Sequence, residues 1–136
     1  MTTTALATLL LIWSNGAADA CAVTRAVDGD TFAMSCGGAP ARPYRLFGVD
    51  TPERGEPGFR EAQTALDGLL RTEWLRGRQV SRDAYGRDVV VLETPEGDLG
   101  CALIAGGWAV ELVEFSRGAY AACDDALRPR ARPEGE

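Results

Sequence analysis

One dipeptide, Asp28-Gly29, restricts the fold of this chain more than any other feature. Asp-Gly is a strong two-residue hairpin turn. Its arms are Cys21–Val27 on one side and Asp30–Ser35 on the other. With that turn, residues whose numbers sum to 57 face each other, and Cys21 and Cys36 meet the condition. The pair falls at a hydrogen-bonded position, a less comfortable place for a bridge. The chain has four cysteines, Cys21, Cys36, Cys101 and Cys123. An even number in a small exported domain favours two disulfides, with three pairings open. The hairpin register favours Cys21 with Cys36 and leaves Cys101 with Cys123. No pair has the CxxC spacing of a redox or soft-metal motif.

At 136 residues, the chain suffices for one domain with a modest core. Residues 5–13 form a short apolar run, far below the roughly 20 residues that span a bilayer. Ala18-Asp19-Ala20 follows with a small-x-small pattern. Residues 1–20 therefore read as a secretory signal peptide cut after Ala20, which places the mature protein outside the cell or in a periplasm. A buried first helix is the alternative for this run, and Cys21 just beyond the cut raises the question of a lipid anchor. Residues 21–129 make the single domain, and residues 130–136, rich in proline, charge and glycine, read as a flexible tail.

The formal net charge is −6, and all 14 basic residues are arginine. An acidic domain coats nucleic acid poorly, since non-specific binding needs a basic field. An enzyme whose arginines and bound cations make one site locally positive is still allowed. The chain has no histidine, so acid–base chemistry must run on carboxylates, arginines, tyrosines or metal-bound water.

Several short strands are legible. Tyr44–Val49 is one, bent at Gly48 and ended by Thr51-Pro52. Gln79–Ser81 is at most a short strand, with Gly77 marking the exit from the preceding helix. Asp88–Glu93 is the clearest strand, and Thr94–Asp98 reads as a second hairpin turn. Trp108–Val113 is a last short strand. Phe59, Ala62, Leu66, Leu69 and Leu70 form the apolar stripe of a helix over Phe59–Arg71. A short helix over Leu99–Ala105 ends at Gly106-Gly107, a pair suited to a left-handed C-cap. Ser116 is placed to cap a final helix carrying Tyr120, Cys123 and Leu127, stopped by Pro129. Hairpins with interspersed helices predict a mainly β, α+β fold built on a small barrel. There are too few crossovers for a parallel βαβ sheet and no P-loop or dinucleotide fingerprint.

Three charged stretches carry the chemistry. They are Asp28-Gly29-Asp30-Thr31, Arg45–Glu53, and Asp83-Ala84-Tyr85-Gly86-Arg87. Asp30 and Asp50 sit at strand ends, where converging carboxylates hold a hard divalent cation such as calcium. An ordinary turn residue and a cap before Thr51-Pro52 are their alternative readings. Arg45 interrupts an apolar strand, and a guanidinium there needs an anionic partner. Gly86 can adopt a left-handed shape that aims Arg87. Two guanidiniums grip a phosphate and strengthen as negative charge grows on it; paired surface arginines are the plainer reading. Glu53 follows the Thr51-Pro52 corner and is placed to position or deprotonate a water, although a carboxylate of ordinary pKa is a weak base for it.

In order and spacing, these three motifs resemble those of the thermonuclease, or staphylococcal-nuclease-like, family over most of residues 23–115. The block Gly97–Ala109 also resembles that family's short helix and glycine turn. The resemblance implies a five-stranded OB-type barrel with about three helices. It implies calcium-dependent hydrolysis of DNA and RNA as substrates, single-stranded or locally opened, with 3′-phosphate ends. Asp30 and Asp50 become metal carboxylates, joined by the Thr51 carbonyl. Glu53 activates water, Arg45 and Arg87 clamp the phosphate, and Tyr85 lies near it. The enzyme would act as a monomer without stable membrane insertion. Two departures stand out: only Arg78–Arg82 remains for the strand before the tyrosine-glycine-arginine turn, and Val110–Phe115 offers no tyrosine as a base-stacking ring. The competing classes are a non-catalytic exported OB-type module that binds nucleic acid or a small polyanion, and a disulfide-stapled domain with a structural calcium site.

Overall fold

The computed structural model describes residues 11–13 and 21–126; the rest of residues 1–20, expected to be a signal peptide, Leu127 and Pro129, expected to extend and stop the last helix, and residues 130–136, expected to be a tail, lie outside the described residues. The architecture is mixed α+β and mainly sheet. The strands are β1 Leu11–Trp13, β2 Cys21–Ala26, β3 Thr31–Cys36, β4 Arg42–Leu46, β5 Val49–Asp50, β6 Leu75–Arg82, β7 Asp88–Thr94, β8 Gly97–Asp98 and β9 Val110–Glu111. The helices are α1 Phe59–Leu70, α2 Leu99–Ala105, α3 Val113–Ser116 and α4 Ala121–Ala126. Among the described residues, no helix is long and apolar enough to cross a membrane.

The main ladder runs β1-β6-β7-β4-β3-β2, with β8 on the far end of β7 and a separate β5-β9 pair. Strand β4 meets β7 in parallel, whereas β2-β3, β3-β4 and β6-β7 are antiparallel. The predicted closed barrel is not what the ladder shows. Its ends, β1 and β2, are not paired among the described residues, and the free edge of β6 at Leu75–Gly77 is taken in parallel by Leu11–Trp13.

Alternation across the ladder sorts the side chains into faces. Phe32, Tyr44 and Asp88 share one cross-strand row; Thr31, Arg45, Val89 and Ser81 share the next. The first row turns Phe32 and Tyr44 into the core, where their rings stack at 5.7 Å. The second row faces the other way and carries the polar site. Met34, Leu46, Leu75, Val90 and Leu92 add further sheet side chains to the core. Phe59, Ala62, Leu66 and Leu70 of α1 are buried, as the predicted stripe requires. Each such leucine contributes about 1.5–3 kcal/mol by leaving water, so a charge at Leu66 would break this packing.

The first hairpin has the predicted bridge by an unpredicted route. Its loop holds three residues, Asp28–Asp30, closed by Val27 N donating to Thr31 O at 2.7 Å. Near the turn Arg25 faces Ala33 and Ala26 faces Phe32. A bulge between Val23 and Arg25 then restores the 57-sum register, bringing Cys21 opposite Cys36. The Cys21–Cys36 and Cys101–Cys123 disulfides are both formed.

Three other expectations change. Strand β6 is eight residues long, not confined to Arg78–Arg82. Gly77 lies within it because Leu75 and Gly77 turn inward while Arg76 and Arg78 face out, so the alternation passes through the glycine. Ser116 does not cap the last helix; it ends α3, and its hydroxyl donates to the Glu111 carboxylate, which also accepts Tyr120 N at 2.9 Å. The expected strand over Trp108–Val113 shrinks to Val110–Glu111, held against Val49–Asp50. The break at Gly48 (φ 73°), the turn after Thr94 and the left-handed Gly107 (φ 86°) stand as read.

Candidate active site

The Asp28–Thr31 tip is clamped by what surrounds Gly29. A Cβ there would lie 2.7 Å from Ala62 Cβ and from Thr51 Cβ. The glycine is thus needed for close approach. Helix α1 adds a polar grip: Asp67 Oδ1 accepts Ala26 N at 3.2 Å, and Gln63 Nε2 donates to Val27 O at 3.1 Å.

The Asp30 side chain is held from several sides. Thr51 donates to Oδ2 from its amide at 3.2 Å and its hydroxyl at 3.1 Å. Arg45 NH1 sits 3.1 Å from the same oxygen. The Thr31 hydroxyl donates to Oδ1 at 3.2 Å. Burial pushes the Asp30 carboxyl up to about 6; Arg45 opposes this, and the neighbouring Asp28 carboxylate adds to it. Asp28 in turn accepts Asp30 N at 3.0 Å.

Arg87 is aimed by its own turn. Gly86 is left-handed at φ 84°. Asp83 Oδ1 accepts the Tyr85 and Arg87 amides, each at 2.9 Å, and Oδ2 accepts Arg87 Nε at 2.7 Å. Desolvation works to raise the Asp83 carboxyl, but these donors outweigh it and hold the group below its ordinary value. Arg87 NH1 donates to the Thr31 hydroxyl at 3.2 Å, joining the turn to β3. Tyr85 is 85% exposed and stacks beside this guanidinium at 5.6 Å.

All seven expected site residues, Asp30, Arg45, Asp50, Thr51, Glu53, Tyr85 and Arg87, line one open cleft of about 440 Å³, together with Asp28, Thr31, Pro52, Arg54 and Phe59. Three segments distant in sequence therefore share one concavity. The carboxylates are not drawn into a cage: among the described residues, no group of three or more His, Cys, Asp or Glu side chains is placed to hold a metal ion. Asp50 and Glu53 are exposed on the rim. The donors are all oxygen, the kind that suits a hard cation. In this structure the Thr51 amide and hydroxyl fix Asp30.

Sequence reasoning gave no role to Thr31 and only turn roles to Asp28 and Asp83. For Asp83 the available signal was an aspartate opening a tight turn, a position where the carboxylate bonds backbone amides two residues on. For Thr31 it was the hydroxyl adjacent to Asp30 on the same strand. The aromatic ring within Val110–Phe115 is Phe115, which is 62% exposed. It lines a second hollow of about 390 Å³, largely apolar, that shares Arg45 with the cleft and includes Phe47, Val89 and Leu112. No protein-family model matches the chain, and neither does any curated protein.

Proposed function

We propose that the chain is an exported, calcium-dependent phosphodiesterase of the thermonuclease type, hydrolysing DNA and RNA with little sequence or sugar preference. The observation that carries this reading is the meeting of all seven matched side chains on one cleft. Strands β2, β3, β4, β7 and β6 would then be the five strands of an OB-type barrel, and β1, which lies within residues 1–20, would be absent once the signal peptide is cut.

The charges in the cleft favour a metal-assisted anion site. Four carboxylates (Asp28, Asp30, Asp50 and Glu53) face three guanidiniums (Arg45, Arg54 and Arg87). One divalent ion turns this balance from one negative to one positive, and only then does it attract a phosphodiester. Asp30 and Asp50, with the Thr51 carbonyl, would hold calcium, which supplies Lewis-acid neutralisation of phosphate charge.

This chain's own residues do the rest. Glu53 orients a water for in-line attack on phosphorus and takes up its proton. Arg45 and Arg87 bind the non-bridging oxygens and stabilise the charge that develops on them. Tyr85 steadies the phosphate from the rim. As the P–O5′ bond breaks, the departing 5′ oxygen takes a proton from solvent, leaving a 3′-phosphate and a 5′-hydroxyl.

The test is digestion of plasmid and end-labelled oligonucleotides in calcium and in chelator, with end-group analysis. Arg45→Ala and Arg87→Ala should each lower kcat by roughly 100- to 1000-fold, by analogy with loss of one oxyanion donor. Tight binding without turnover would replace the enzyme with a binding module. A calcium-dependent melting shift with neither binding nor cleavage would leave only a structural ion site.

A further inference from the structure

We infer that Thr31 is a positioning residue for Arg87; its role in catalysis rests on the phosphodiesterase reading of the cleft. The Thr31 side chain is buried, and its hydroxyl sits between two functional groups. A threonine hydroxyl has one hydrogen and two lone pairs. The hydrogen goes to Asp30 Oδ1 at 3.2 Å, which turns the lone pairs toward Arg87 NH1, also at 3.2 Å. A guanidinium has donors only, so its bond to this oxygen can run in one direction alone.

The consequence is a two-point hold on the Arg87 plane. Asp83 takes Nε from within the arginine's own turn, and Thr31 takes NH1 from a strand 56 residues away. Among the described residues NH2 makes no hydrogen bond, so this nitrogen is available to a phosphate oxygen. Asp83 alone fixes one edge and allows the plane to swing about Nε. Thr31 removes that swing, in a site where misplacement by about 1 Å has large effects on rate. The same hydroxyl ties the Arg87 position to the carboxylate assigned to the metal, so the two halves of the cleft are set by one side chain.

The test uses Thr31→Val, which keeps the branched shape favoured in a strand and removes only the hydroxyl function, and Thr31→Ser, which keeps the hydroxyl. Thr31→Val should lower kcat on a short oligonucleotide on the order of tenfold or more, with KM within about twofold, and Thr31→Ser should restore most of it. In an Arg87→Ala background Thr31→Val should cost clearly less than in wild type, only the lost bond to Asp30 remaining, whereas with Arg45→Ala its effect should multiply. An equal, multiplicative effect in both backgrounds overturns the assignment. The second readout is the ¹⁵N–¹H spectrum of the Arg87 guanidinium, whose Nη signals should be resolved in wild type and Thr31→Ser and averaged in Thr31→Val. Wild-type protein that cleaves no nucleic acid would remove the functional reading. The positioning would then stand or fall on this spectrum, and an Arg87 signal unchanged by Thr31→Val would overturn it.

Discussion

Gly29→Ala tests the link between packing and chemistry most directly. The added Cβ would lie 2.7 Å from Ala62 Cβ, Thr51 Cβ and Thr51 Oγ1. Nonbonded carbons settle at roughly 3.5–4.0 Å, so the turn must withdraw by about 1 Å. Ala62 cannot yield, because it is fully buried on α1, and Thr51 is buried on the other side. Overpacking of this kind costs about 1–3 kcal/mol. Withdrawal also stretches the two Thr51 bonds to Asp30, now 3.1 and 3.2 Å, beyond hydrogen-bonding length. Bonds to a charged group contribute about 1.5–3 kcal/mol, so urea melts should show a loss of roughly 2–4 kcal/mol. The cleavage rate of the folded fraction should fall on the order of 100-fold, since Asp30 moves with the turn. Gly68→Ala is the control. It makes the same substitution on α1, where the new Cβ meets nothing within 4 Å, and should stabilise by about 0.5–1 kcal/mol. A Gly29→Ala protein as stable and as active as wild type would refute the claim that this contact sets the site.

Two further outcomes are expected. Burial, the Asp98 charge and the bond to Asp98 at 3.1 Å all push the Tyr120 phenol far above its ordinary value. The unfolded chain therefore releases this proton near pH 10 while the folded chain keeps it, so stability is fully present below about pH 10 and falls above it by about 1.4 kcal/mol per pH unit. Urea melts between pH 9 and 11 should show this slope, less steep in Tyr120→Phe; an identical slope in the variant would count against the assignment. Calcium at a hundred times its Kd should stabilise the fold by about 2–3 kcal/mol, because it binds the folded cleft and not the unfolded chain. Equal melting temperatures in calcium and in chelator would exclude that site.

Local chemistry was legible where one segment decides it. Gly86 aims Arg87, Gly107 ends α2, and the α1 stripe packs as its spacing requires. Arg45 inside an apolar strand predicted an anionic partner, and Asp30 is that partner. What stayed hidden depends on other segments. Gly77 reads as a breaker until its place in the alternation of β6 is known. The Thr31 hydroxyl gains its role from Arg87, and Gly29 from Ala62 and Thr51. Serine at 116 resembles a cap because its preference for helix ends is real; Glu111, five residues earlier, claims its hydroxyl instead.

The bulge in β2 has a bearing on how oxidation treats this chain. The three-residue loop shifts one arm of the hairpin by a position, and the extra residue near Thr24 shifts it back. A hairpin lacking that compensation would set Cys21 against Gly37, where no sulfur waits. Bond formation between Cys21 and Cys36 thus proofreads the alignment of the arms, and with it the placing of the aspartates at their tip.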